Sequence, residues 1–321
     1  MTMNRNLTMN RNRTRRAIPA LMVAVAATTA VFNPQVLVAW GDVGHVMAGK
    51  AAALALPDTM PLFFRQSADQ LAYLNPEPDR WRSDVEAKVD PALRDAYNAD
   101  HFINLERVPA AALLAPNRFA YLAELRKAGI EQPESAGMSP FAILELFQRL
   151  RAESRLWRGA TDEKTRQWIE QRIINDAGIL GHYVTDSANP LHTSIHHHGW
   201  VGENPNGYAV DKDTHARFEG RFVRARVTQA DVSTRVERTP KLLAEPRAEI
   251  LKYVQASHAQ LEPLYQVDKR ARFDEHTTAE ENTRFTAERL AFGATMLRDL
   301  WWTAWITSEQ SAAPAGPETG R

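Results

Sequence analysis

Histidine and carboxylate side chains recur together along this chain at spacings that suit a divalent metal. In Gly181-His182-Tyr183-Val184-Thr185-Asp186 the imidazole and the carboxylate stand four residues apart, so a helix would project both from one face. Pro190-Leu191-His192 follows where that helix should end. His215-Ala216-Arg217-Phe218-Glu219 repeats the four-residue spacing. Zinc takes imidazole nitrogen and carboxylate oxygen at about 2.0–2.2 Å, and a helical pair offers two such ligands already oriented. Upstream, Trp81-Arg82-Ser83-Asp84 adds a carboxylate, and Asp100-His101-Phe102-Ile103-Asn104 adds an imidazole in an apolar setting. Each element also has a plainer reading, as a helix-stabilising contact or a packed histidine. Two pairs flanking a histidine-rich loop favour the metal. With zero cysteines in the chain, any ligands must be His, Asp, Glu or backbone, and disulfides cannot hold the fold.

Helices are the elements that must position these groups. Apolar residues recur three and four apart in Val43–Leu56, Pro140–Leu150, Thr161–Thr185, Thr214–Val227, Pro240–Ala256 and Glu280–Ile306. No segment alternates as a strand would. Ser139-Pro140 and Thr161-Asp162 read as helix starts. Asn189–Asp213, rich in Pro, Gly, Asn and His, reads as a loop, and Trp301, Trp302 and Trp305 fall at helical spacing as core residues. The expectation is one all-α domain over residues 40–308, followed by a disordered tail over 309–321.

Residues 1–39 have the form of an export signal: an arginine-rich start, an apolar stretch from Ile18 to about Phe32, then Leu37-Val38-Ala39. Cleavage after Ala39 would make Trp40 the new amino terminus and place the protein in a periplasm or outside the cell. No other segment approaches the roughly 20 apolar residues of a membrane span. The formal charge is zero, yet residues 1–39 hold five arginines (Arg5, Arg11, Arg13, Arg15, Arg16) and no acid. Taking those five from 39 basic side chains leaves 34 against 39 acidic ones, a net of −5 for the body. A mildly acidic body argues against a broad basic surface for polyanions, so phosphate recognition would be local. Nothing in the sequence calls for an obligate protein partner.

At the signal junction stands Trp40-Gly41-Asp42-Val43-Gly44-His45. A Trp-Gly-x-x-Gly-His amino terminus resembles that of the single-strand-specific zinc nucleases of fungi and plants, which share a helical superfamily with bacterial zinc phospholipase C. The resemblance continues in order through Trp81–Asp84, Asp100–Asn104, His182–His192 and His215–Glu219, covering most of residues 40–219. It implies an all-α fold holding three zinc ions. Asp84, His101, His182 and Asp186 resemble the ligands of one ion, and His192, His215 and Glu219 those of a second. The third resembles a site made by the free amine and carbonyl of Trp40, by His45 and by Asp186 as a bridge. An amine chelates only when unacylated, so this last site would form only after cleavage.

The chemistry so implied is hydrolysis of a phosphate ester by a zinc-activated water, with Asp84 and Asp186 orienting that water. Single-stranded nucleic acid or a 3′-nucleotide is the expected substrate, and a phospholipid head group the alternative. Phe102 matches a position where the nucleases stack a base. Asn104 stands where they usually have Asp, Ala87 where they usually have an arginine, with Lys88 beside it, and Glu219 where the phospholipases rather than the nucleases have Glu. In His196-His197-His198-Gly199-Trp200, His196 and Trp200 could rim the substrate, the run could capture zinc, or the loop could simply be solvated. A non-catalytic zinc- or lipid-binding protein on the same scaffold is the reading from another class.

Overall fold

The periodic segment from Thr161 becomes the axis of the fold in a computed structural model, which describes residues 40–309. The leader with its cleavage point after Ala39, and the tail beyond Glu309, lie outside the described residues. The helices used below are α1 (Gly41–Leu54), α2 (Ala68–Leu74), α3 (Glu77–Trp81), α4 (Asp84–Val89), α5 (Pro91–Asn98), α6 (Ser139–Gly159), α7 (Glu163–Ala188), α8 (Pro246–His258), α9 (Leu261–Arg270) and α10 (Glu280–Thr307). Loops and further helices, among them Arg118–Lys127, join them. Among the described residues the only β pairing is an isolated bridge between Ile103 and Gly137, so the chain is all-α.

Helix α7 runs through the middle, packed on α6, α10, α2 and α1. Its side chains are buried without interruption from Asp176 to Ala188. A helix covered all round must be apolar or have its polar groups partnered, and here the polar ones include His182, Thr185 and Asp186. The start is capped by Asp162, whose carboxylate accepts the Thr165 N–H at 2.8 Å. Helix α6 begins at Ser139 as expected, with no side-chain capping bond; the Ser139 hydroxyl instead accepts a hydrogen bond from Ser187 across the α6–α7 contact at 3.2 Å.

Two boundaries differ. The helix expected from Pro240 begins at Pro246, because the buried Arg298 guanidinium binds the Glu237 and Thr239 carbonyls and Asp299 takes the Lys241 N–H, holding that strand of coil on α10. The segment after Thr214 winds as a π-helix over Ala216–Phe222 before a last α turn. Wide turns of this kind gather at functional sites. Trp301 and Trp305 are buried and Trp302 half-buried, as their spacing implied. No helix among the described residues is long and apolar enough to cross a membrane.

Candidate metal centre

Asp186 is the residue on which the histidines converge. Its Oδ2 lies 3.0 Å from His101 Nδ1 and 3.2 Å from His182 Nε2. Its Oδ1 lies 3.3 Å from His45 Nε2 and 3.6 Å from His192 Nδ1. One carboxylate thus faces two separate groups of imidazoles, one through each oxygen. Beyond His192, its Nε2 stands 3.0 Å from His215 Nε2 and 3.3 Å from Glu219 Oε2, and His215 closes the triangle to Glu219 at 2.8 Å. Three groups capable of holding metal result: His45 with His182 and Asp186; Asp79 with His101 and His182; and His192 with His215 and Glu219.

The middle group corrects an expectation. Asp84 is exposed at the start of α4 and belongs to no cluster. Asp79, five residues earlier in α3, is 4% exposed, and its Oδ1 stands 3.7 Å from both His101 Nδ1 and His182 Nε2. Helix α3 packs directly on α7, whereas α4 leans outward on α5, and that difference decides which acid is buried. Arg82 accompanies Asp79, donating to its Oδ1 from Nε at 3.0 Å and Nη2 at 2.6 Å, and to Asn98 at 3.1 Å. A guanidinium therefore does stand at the edge of the cluster, although Ala87 supplies none and Lys88 is exposed on α4.

Three of the imidazoles are held in the orientation that metal binding would require. His182 donates Nδ1–H to the Asn75 carbonyl at 2.9 Å, His192 donates Nδ1–H to the His101 carbonyl at 2.8 Å, and His45 donates Nδ1–H to Asn75 Oδ1 at 2.9 Å. Each bond leaves the Nε2 lone pair for the cluster, the arrangement by which proteins orient metal-bound histidine. Asn75 serves two ligands at once and had no signal in the sequence. It fits because Gly181 and Gly49 face it: a Cβ would stand 2.6 Å from its Nδ2 at Gly181 and 2.8 Å at Gly49. Asn189 adds a bond from Nδ2 to Glu219 Oε2 at 2.9 Å.

The donor set fits a metal on two further grounds. Tetrahedral bonds of about 2.05 Å set ligand atoms about 3.3 Å apart, and the cluster contacts of 2.8 to 3.7 Å bracket that value. Asp186 Oδ1 and His45 Nε2, which face each other across 3.3 Å, are buried without a hydrogen-bond partner. Buried polar atoms left in this state are costly, and an ion would satisfy those that face the clusters.

Electrostatics follow from the crowding. Burial alone would raise Asp186, but the charges of His192 and His182 and bonds from His101 and His182 hold it well below the usual carboxylate range. Burial likewise opposes the charge on Glu219, yet His215 and His192 bring it down to about 2. His192 rises to about 9, since Asp186 and Glu219 outweigh the burial that would lower it. His45 is raised against burial by Asp186. Burial, then the Arg82 charge, lowers His101 to about 3, and burial lowers His182.

The remaining expected residues are placed as follows. Trp40 is fully buried; its indole N–H donates to the Thr185 carbonyl at 2.9 Å, one residue from Asp186, and its ring packs on Phe218. Phe102 is half-buried next to His101. Asn104 is buried, bonds the Ser135 carbonyl through Nδ2, and leaves Oδ1 unpartnered. Trp200 stacks on His196 at 4.1 Å, packs on Tyr208 and Tyr265, and donates Nε1–H to the Glu203 carbonyl, so its ring is engaged within its own loop. Of the rim histidines, burial lowers His197 to about 4 and lowers His198. No protein-family model, curated protein or solved structure matches this chain.

Proposed function

We propose that this chain is a zinc-dependent phosphodiesterase, and the observation that carries the reading is Asp186, one buried carboxylate shared between two groups of imidazoles with a third group one histidine away. Asp79, His101, His182 and Asp186 would hold one ion, His192, His215 and Glu219 a second, and His45 with Asp186 part of a third. Divalent ions held together in this way supply a nucleophile from water near neutral pH and neutralise charge on the attacking and leaving oxygens of a phosphate ester.

The third group gains its missing ligands if Trp40 is an amino terminus. Trp40 has φ of 43°, a backbone outlier for a bulky residue. With the preceding residues removed, the amine would be free to bind.

The protein's own groups define the rest. Arg82 offers a guanidinium to a phosphate oxygen, and its pairing with Asp79 fixes its direction. Phe102, half-buried beside His101, offers an aromatic face to a base, which favours nucleic acid or a 3′-nucleotide. A phospholipid is the second reading, favoured by the exposed apolar side chains of Val85, Val89 and Leu93 on the α4–α5 arm that joins Asp79 to His101. The test is to incubate protein beginning at Trp40 with single-stranded DNA, RNA, a 3′-mononucleotide and phosphatidylcholine, each with zinc and with excess chelator. Zinc-dependent release from the nucleic acids supports the reading. Undiminished hydrolysis after full metal exchange into chelator overturns it, and bound zinc without turnover on any substrate identifies a binder.

A further inference from the structure

The histidine run 196–198 is held by a loop built for rigidity. Glu106 receives the Ser194 hydroxyl through Oε1 and the Ile195 N–H through Oε2 at 3.2 Å. Tyr265 donates its hydroxyl to the His196 carbonyl, and the Trp200 N–H binds the Ala209 carbonyl at 2.8 Å. Gly199, at φ 97°, lets the loop cross residue 210, where a Cβ would stand 2.5 Å from the Val210 carbonyl carbon. A solvated loop would not need these anchors.

The three imidazoles have different fates. His196 is consumed locally, its Nδ1 accepting the Val201 N–H at 2.9 Å and its ring stacked on Trp200. His197 donates Nδ1–H to the Ser194 carbonyl at 3.1 Å, which leaves Nε2 as a free lone pair. His198 is exposed. The rings of His197 and His198 have centroids 4.5 Å apart, and both approach His215, at 6.3 and 5.4 Å. His215 is the most accessible member of its cluster, with 16% of its side chain exposed against 4% and 6% for His192 and Glu219.

We propose that His197 and His198 form an entry site for a divalent cation, which they pass to His215, Glu219 and His192. The pair contains neutral imidazoles and no carboxylate, so it binds a dication more weakly than the inner group, which adds the charge of Glu219. Weak capture at the mouth followed by tighter binding inside gives net movement inward. The proposal rests on the metal reading above and concerns how the ion arrives, not the reaction.

The experiment measures zinc uptake by metal-free protein in a stopped-flow competition with a chromophoric zinc indicator. The His197→Gln/His198→Gln double variant should reach the wild-type zinc stoichiometry and helical circular dichroism, with one uptake phase slowed about tenfold, the low end of the spread of on-rates among variants of one binding site. His276→Gln, an exposed histidine elsewhere (89% of its side chain accessible), should load at the wild-type rate. Unchanged uptake in the double variant overturns the proposal. A lower final stoichiometry also overturns it, because the pair would then be permanent ligands. Wild-type protein that takes up no zinc overturns the metal reading itself.

Discussion

Replacing Asp186 by Asn tests the central geometry, because the substitution keeps the shape and removes the shared charge. Oδ1 faces His45 and His192 while Oδ2 faces His101 and His182, all within 3.6 Å. Two ions should therefore lose a charged ligand together, whereas Glu219→Gln, confined to the group of His192 and His215, should weaken one. Changing a group that merely orients a metal ligand costs about 10- to 100-fold in affinity, so losing a ligand charge should cost at least about 100-fold per ion, or about 2.8 kcal/mol each at 1.4 kcal/mol per tenfold. The assay is zinc content by mass spectrometry after dialysis at a fixed free zinc concentration just above what saturates the wild type. Expected values are three ions for the wild type, two for Glu219→Gln and one for Asp186→Asn. Asp186→Asn protein losing a single ion, or none, would refute the bridge.

Three more expectations follow from the same coordinates. Asp79→Asn should lower zinc content by one ion while Asp84→Asn leaves it unchanged, and a reversal of that pair would put the ligand back on α4. Arg82→Met should keep the full zinc content yet reduce kcat for phosphate-ester hydrolysis by about 100-fold, the scale of losing one preorganised charge at a transition state; metal loss would instead show that Arg82 only supports Asp79. His192, raised to about 9 in the metal-free protein, must lose a proton to bind metal, so zinc affinity of its group should fall about tenfold per pH unit as pH drops below about 9. The sign for folding runs the other way: the raised pKa stabilises the metal-free fold fully below the ordinary 6.5 and that contribution is lost as pH rises through 9. Calorimetry in buffers of differing ionisation enthalpy should count the released proton, and a buffer-independent heat would contradict the assignment.

Several site residues were legible because helix geometry is local. His182 with Asp186, and His215 with Glu219, stand four apart in the chain, and any helical winding sets such residues on neighbouring turns. The all-α class was legible for the same reason, since periodicity of three and four needs no knowledge of partners. The start expected at Pro240 fails where distant groups intervene: Arg298 with Asp299 holds the coil after it on α10.

The four-residue spacings, together with the family resemblance, grouped His45, His101, His182, Asp186, His192, His215 and Glu219 as candidate ligands. The sequence could not choose between Asp79 and Asp84, which flank the same Trp81, because the choice depends on which short helix packs against α7. Nor could it reveal Asn75, whose two bonds orient His45 and His182 only because Gly49 and Gly181 leave it room. Ligand type and helical phase are properties of neighbouring residues, and the chain spells them out. Burial and the direction of a lone pair depend on contacts between residues far apart in the chain, 107 positions for Asn75 and His182, and only packing around one central helix decides those.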